Sequence, residues 1–166
     1  SQEGKGTLFD VSLPRAMPEE GQEITPSWTA MGLESIQEGT VAVLIDDDSE
    51  VLNSLALLLK DWGFDVVTAQ NMLEAFDALR GTSKVPSVIV SDHRLKGGGT
   101  GVAAVKSLRQ AFGAPIPGVI VTGDTSSDRL REVTESGFKL LYKPVRTSEL
   151  RAAVAAIMRD GGDLAG

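Results

Sequence analysis

Five short runs of β-branched and aliphatic residues, each followed by a stretch with helical apolar spacing, constrain the chain from residue 41 onward more than any other feature. The runs are 41–45 (Val-Ala-Val-Leu-Ile), 64–68, 87–90, 118–121 and 138–142. Strands apolar at successive positions must be covered on both faces, and the segments between them are long enough to cross over as helices. The pattern predicts an α/β fold in which a five-stranded parallel sheet is wrapped by five helices. The first helix is read from Val51, Leu55, Leu58, Leu59 and Trp62, ended by Gly63 as a left-handed cap. The last starts at Thr147 as N-cap and presents Leu150, Val154, Ile157 and Met158 before Gly161.

Composition removes whole classes of chemistry. No cysteine is present, which excludes disulfides, thiolate metal sites and cysteine nucleophiles, and one histidine, His93, cannot form a histidine ligand cluster. No apolar run reaches membrane-spanning length, and no basic start followed by an apolar stretch marks a signal peptide; the segment is expected to be soluble. The net charge of −7 disfavours contact with nucleic acid phosphates or an anionic membrane. Most of that charge falls before residue 41, where residues 8–13 read as a strand ending at Pro14 and 16–40 read as an acidic, proline-containing linker. Within the linker, Trp28, Met31, Leu33 and Ile36 could form a short docking helix.

In an open parallel sheet every strand delivers its C-terminal end to one edge, where ligands bind. At that edge the sequence places Asp46, Asp47 and Asp48 after the first run, Ser91 and Asp92 after the third, Thr122 and Gly123 after the fourth, and Lys143 followed by Pro144 after the fifth. Carboxylates converging without histidine or thiolate make a hard oxygen site suited to Mg²⁺ with retained waters. Lys143 adds positive charge opposite, so the pocket suits a tetrahedral dianion such as a phosphoryl group, with Thr122 as a neutral donor. Asp46 and Asp47 pair as metal holders; Asp92, alone on its strand, is the candidate to become an aspartyl phosphate. Asp48 is read as the cap of the following helix. His93 neighbours Asp92 along a strand, so it faces away and is read as a loop residue.

These residues resemble the receiver domain of two-component response regulators over 41–160. The resemblance is carried by Leu-Ile-Asp-Asp-Asp at 44–48, Val-Ser-Asp-His-Arg-Leu at 90–95, Val-Thr-Gly-Asp at 121–124 and Tyr-Lys-Pro-Val at 142–145. It implies a flavodoxin-like sheet of order 2-1-3-4-5, an acidic pair (Asp46, Asp47), a phosphoaccepting Asp92, a switch hydroxyl (Thr122), an essential Lys143 and a metal contact from the Arg94 carbonyl. It further implies Mg²⁺ as cofactor, a phosphohistidine-bearing domain of a histidine kinase or phosphotransfer protein as partner, a conformational switch on phosphorylation, and the cytoplasm as location. Such a domain catalyses its own phosphorylation and dephosphorylation. Three departures stand out: Lys96 where proline is frequent, a longer glycine loop at 97–99, and Leu140 where an aromatic is usual. Tyr142, two residues on and on the same strand face, is the candidate to respond in its place.

Residues 4–14 (Gly-Lys-Gly-Thr-Leu-Phe-Asp-Val-Ser-Leu-Pro) are similar to the last strand of a histidine kinase ATPase domain. Residues 1–15 would then be the remnant of a preceding domain and 161–166 a tail. A kinase end, linker and receiver in that order imply the C-terminal receiver of a hybrid sensor kinase, with no output domain and no kinase activity in this fragment. Two other readings compete. A haloacid-dehalogenase-like phosphohydrolase would use Asp46 and Asp48 with Thr122 and Lys143, but lacks a late acidic pair at a further strand end. A phosphate-independent interaction module would keep the fold without the chemistry.

Overall fold

The computed structural model describes residues 36–162 apart from 83 and 125. The expected N-terminal strand, Trp28, Met31 and Leu33 of the docking helix, and the last residues of the tail lie outside the described residues. Strands and helices alternate without exception: β1 (Val41–Ile45), α1 (Ser49–Asp61), β2 (Asp65–Ala69), α2 (Met72–Arg80), β3 (Val88–Asp92), α3 (Gly101–Phe112), β4 (Gly118–Thr122), α4 (Ser127–Ser136), β5 (Lys139–Tyr142) and α5 (Thr147–Gly162). The sheet order is β2-β1-β3-β4-β5 and every pairing is parallel. This is the flavodoxin-like doubly wound arrangement that the sequence implies. The chain steps from β1 outward to β2 and then returns to β3 on the other side, so the crevice lies above the ends of β1 and β3.

Residue parity along the strands builds two cores. Val41, Val43, Ile45, Ile89 and Ile120 face α2, α3 and α4, meeting Ala75, Leu79, Val105, Leu108 and Val133. Ala42, Leu44, Val88, Val90, Val119 and Val121 face α1 and α5, meeting Leu52, Leu59, Leu150 and Val154. The central strands β1, β3 and β4 are buried along their whole length. The edge strands β2 and β5 expose Asp65, Thr68, Lys139 and Tyr142, which is why their runs read as less uniformly apolar. Each fully buried aliphatic side chain contributes on the order of 2 kcal/mol. Ile36 also packs against the α1/α5 core.

Local signals set most helix ends where the sequence places them, but α5 departs at both ends: Thr147 is its first residue, with Glu149 and Leu150 N–H donating to Arg146 O at 3.0 Å, and the helix runs through Gly161 to Gly162 rather than stopping before a tail at 161. Asp48 caps α1, accepting from the main-chain N–H of Glu50 at 2.8 Å. Asn71 caps α2 by accepting from Glu74 N–H at 3.0 Å, and the Glu74 side chain reaches back past the cap to accept from Gln70 N–H at 2.8 Å. Gly63 takes the expected positive φ after α1. One reading is corrected in detail: the most buried positions of α1 are Leu52, Ala56 and Leu59, whereas Val51, Leu55 and Leu58 are only half-buried. The helix is turned so that Val51 and Leu55 line a groove with Lys143, Pro144 and Val145. Among the described residues no helix is long and apolar enough to cross a membrane.

Candidate functional site

Three strand ends meet at the crevice. Asp46, directly after β1, is buried, and its main-chain N–H donates to Ala69 O at the end of β2, 3.2 Å away. Its Oδ1 accepts from Asp48 N–H at 2.9 Å, which fixes the β1–α1 turn, while Oδ2 lies 2.9 Å from Lys143 Nζ. Asp92, the last residue of β3, accepts from Arg94 N–H at Oδ2 (2.8 Å) and faces Lys143 Nζ at Oδ1, 2.7 Å away. Lys143 leaves β5, two strands from β3, with its main-chain N–H on Thr122 O at 2.8 Å. Only a long unbranched stem reaches from there past β4 to both carboxylates, and that stem is what lysine supplies.

Electrostatics explain why the arrangement holds. The carboxylate side chains are 5% and 10% exposed, too buried to stand charged side by side without a counterion. Burial pushes the Lys143 ammonium down, but the hydrogen bonds and charges of Asp92 and Asp46 outweigh it and hold the group above the usual lysine value of 10.5. A cation held more tightly in the fold than in the unfolded chain stabilises fully below its unfolded pKa, and that stabilisation is lost as pH rises through the folded one. The difference in thermal midpoint between the native chain and a Lys143→Met variant is therefore expected to stay constant from neutral pH to about 10 and to narrow above it. Narrowing already between pH 7 and 9 would contradict the raised value.

The remaining sequence candidates fall around this trio. Asp47 is half-buried at the rim, with Lys96 Nζ 3.3 Å from its carbonyl oxygen and 3.8 Å from Oδ2. Thr122, the last residue of β4, is buried, but its hydroxyl is held within its own loop, accepting from Asp124 N–H at 3.1 Å and donating to Asp124 O at 3.3 Å. Arg94 meets the site through its main chain, with its side chain exposed. Tyr142 stands opposite Thr122 in the β4–β5 register, 45% exposed. The structure thus joins Asp46, Asp92 and Lys143 directly, leaves Asp47 next to Asp46 in the chain but paired with Lys96, and holds Thr122 and Tyr142 one step away. Asp48 spends its carboxylate on the helix cap, so it is not free to act as an acid beside Asp46.

Two contributors escape sequence reasoning. His93 faces away from Asp92 as expected, yet it is 3% exposed, with Nε2 3.1 Å from Glu132 Oε2 on α4. The other oxygen of Glu132 accepts from Thr100 Oγ1 at 3.2 Å, and Thr100 also caps α3 by accepting from Ala103 N–H at 3.1 Å. Glu132 thereby ties α4 to the loop that follows Asp92. Gly101 is the second: a Cβ there would lie 2.2 Å from Asp92 O and 2.7 Å from Ser91 Oγ. Neither is signalled by spacing, because a pairing 39 residues apart depends on where α4 docks and glycine is abundant in this loop.

The donor chemistry of the site fits a hard divalent ion. Among the described residues no three acidic or histidine side chains are gathered closely enough to hold a metal ion together, so the expected convergence of Asp46, Asp47 and Asp92 as one ligand cluster is not seen. Mg²⁺ does not require one, since it keeps several waters and takes one or two carboxylates. Asp92 and Asp47 would be the carboxylates to hold such an ion, with the Arg94 carbonyl a further oxygen on the loop after Asp92.

The site is thus the switch-point crevice of a doubly wound parallel sheet, with two buried carboxylates bridged by a lysine that follows the last strand. The chain matches the response regulator receiver domain family over residues 42–155 and belongs to it. It is 32% identical over 117 residues to the transcriptional regulatory protein CpxR homolog of Haemophilus influenzae, covering 70% of this chain and 49% of that protein. It is 34% identical over 124 residues to the transcriptional regulatory protein PrrA of Mycobacterium tuberculosis, covering 74% and 52%. The chain spans about half the length of these curated relatives. Among solved structures, a response regulator receiver domain protein from Clostridium thermocellum superposes with a TM-score of 0.66 at 22% identity, covering 75% of this chain and 98% of that one. The Vibrio cholerae chemotaxis protein CheY4 gives 0.62 at 25% identity, covering 72% and 98%. Receiver domains in general use Mg²⁺ for phosphorylation and work with histidine kinases or phosphotransfer proteins.

Proposed function

We propose that Asp92 accepts a phosphoryl group from a phosphohistidine on a partner domain and that the modified chain switches conformation. The observation that carries this reading is the single ammonium of Lys143 held between Asp46 and Asp92. An Asp92 oxygen attacks phosphorus in line, the bond from phosphorus to the imidazole nitrogen breaks, and the imidazole takes a proton from solvent. Lys143 keeps Asp46 and transfers its second contact from Asp92 to a phosphoryl oxygen. Water later cleaves the acyl phosphate, returning the carboxylate and inorganic phosphate. Asp47 and Asp92 would hold Mg²⁺ directly, Asp46 directly or through water, and Arg94 through its carbonyl. A bound Mg²⁺ supplies neutralisation of the charge on the transferred group.

For the switch, Thr122 is the group whose bonding must change. Its hydroxyl now serves Asp124, and a phosphoryl oxygen on Asp92 offers a competing acceptor present only in the modified state. Tyr142, beside Thr122 in register, and α4, tied through Glu132, are the elements placed to respond. The test is beryllofluoride with Mg²⁺ on the full chain, followed by amide resonances. A receiver shows shifts around Asp92, along the segment from Thr122 to Val133 and at Tyr142. A phosphohydrolase would instead turn acetyl phosphate over continuously, and an inert module would respond to neither. Shifts confined to Asp92 would sink the Thr122–Tyr142 switch.

The likeness of residues 4–14 to a kinase ATPase-domain strand supports a wider reading, in which the parent is a cytoplasmic hybrid sensor kinase with residues 1–15 closing its kinase domain and 16–40 as linker. A phosphoaccepting histidine and nucleotide-binding boxes in the upstream reading frame would establish it, whereas an unrelated upstream domain would make the chain a regulator of a different layout. The net charge of −7 supports a segment that touches neither nucleic acid nor membrane.

A further inference from the structure

Each of the three acidic residues at the crevice has a lysine beside it, but the two lysines are held very differently. Lys143 is one-third exposed and fixed by two buried carboxylates. Lys96 is 73% exposed and reaches from the β3–α3 loop to Asp47 on the β1–α1 loop, 3.3 Å from the carbonyl oxygen and 3.8 Å from Oδ2. The base from which it projects is firm. Leu95 is buried, its N–H donates to Gly99 O at 3.1 Å, and Arg94 and Thr100 close the loop as a bridge. The head of Lys96 is nonetheless mostly in water, so withdrawing from Asp47 breaks no packing and desolvates nothing.

We propose that Lys96 is a displaceable internal counterion of Asp47 that lowers the affinity of the site for Mg²⁺. This rests on the assignment of Asp47 as a metal-holding residue. An ammonium and a divalent cation seeking the same carboxylate compete twice, for the oxygen and through mutual repulsion. The apparent affinity for Mg²⁺ is then set partly by a residue that holds no metal.

The test is calorimetric titration of the full chain with MgCl₂ alone. Lys96→Met, which keeps the stem and removes the charge, is expected to bind Mg²⁺ about two- to fivefold more tightly than the native chain in low salt, the range of an exposed ion pair. Lys96→Arg, which restores the charge, should return to within about twofold. The gain of Lys96→Met should fade in 1 M NaCl, where screening acts within about 3 Å. A loop role without electrostatics would show neither the rescue nor the salt dependence. Equal or weaker binding by Lys96→Met, with clear binding by the native chain, overturns the counterion and leaves the metal site standing. No saturable Mg²⁺ binding by either chain overturns the metal site and the counterion with it.

Discussion

Phosphoryl labelling of the Asp92→Asn chain, from acetyl phosphate or a cognate phosphohistidine, is expected to fall by at least roughly a hundredfold, as removal of a nucleophile demands. The fold is expected to survive. An asparagine oxygen can still accept from Arg94 N–H, as Asp92 Oδ2 does, and Lys143 keeps its contact with Asp46 at 2.9 Å. What is lost is one charged hydrogen bond to Lys143, worth about 1.5–3 kcal/mol, offset by relief of repulsion between two carboxylates that share one ammonium. Intact-mass measurement after acetyl phosphate treatment reads the labelling, and thermal unfolding reads the fold. Label retained on Asp46 or Asp47 at the native rate would overturn the assignment of Asp92. Complete unfolding would overturn the expectation that the fold stands without the Asp92 charge, and the assignment would then rest on where acetyl phosphate labels the native chain.

The fold and the core of the site were legible because both follow from simple periodicities. Runs of β-branched residues with helical spacing between them leave little choice but a parallel sheet covered twice, and a parallel sheet gathers its strand ends at one edge. Asp46, Asp92 and Lys143 each follow such a run, so their convergence needed no knowledge of side-chain packing. The rotation of α1 was less legible because Leu52, Ala56 and Leu59 offer as apolar a stripe as Val51, Leu55 and Leu58. The bond between His93 and Glu132 depends on where α4 lies, and α4 carries little apolar surface from which its docking could be inferred. Thr122 was placed just after the fourth run and proves to be the last residue of β4, but that its hydroxyl is engaged with Asp124 is a property of the loop, to which strand periodicity is blind.

The glycines of the β3–α3 loop show the same limit and lead to the largest structural effect expected here. Four glycines lie between Lys96 and Val102, and by sequence they are equivalent candidates for turn residues. The structure separates them. Gly97 and Gly98 have φ of 90° and 85°, so glycine serves conformation there, and an added Cβ would meet nothing within 4 Å. Gly99 has open space and an ordinary φ. Gly101, the first residue of α3, has an ordinary φ but no space: a Cβ would sit 2.2 Å from Asp92 O and 3.1 Å from Asp92 C. Its own N–H donates to His93 O at 2.9 Å, so α3 begins pressed directly against the end of β3. Gly101→Ala must therefore push α3 away from the strand, loosening Val102, Val105 and Leu108 in the core and shifting the main chain that carries Asp92. Overpacking of this kind costs about 3 kcal/mol, roughly a 10 °C fall in thermal midpoint for a domain of this size. Gly99→Ala, two residues away, is expected to be neutral or to stabilise slightly by restricting the unfolded chain. Acetyl phosphate labelling of Gly101→Ala should slow as well, because the displaced atoms belong to Asp92 itself. Equal midpoints for the two variants would show that α3 can yield at its first turn without disturbing β3, and the close approach would lose its role in positioning Asp92.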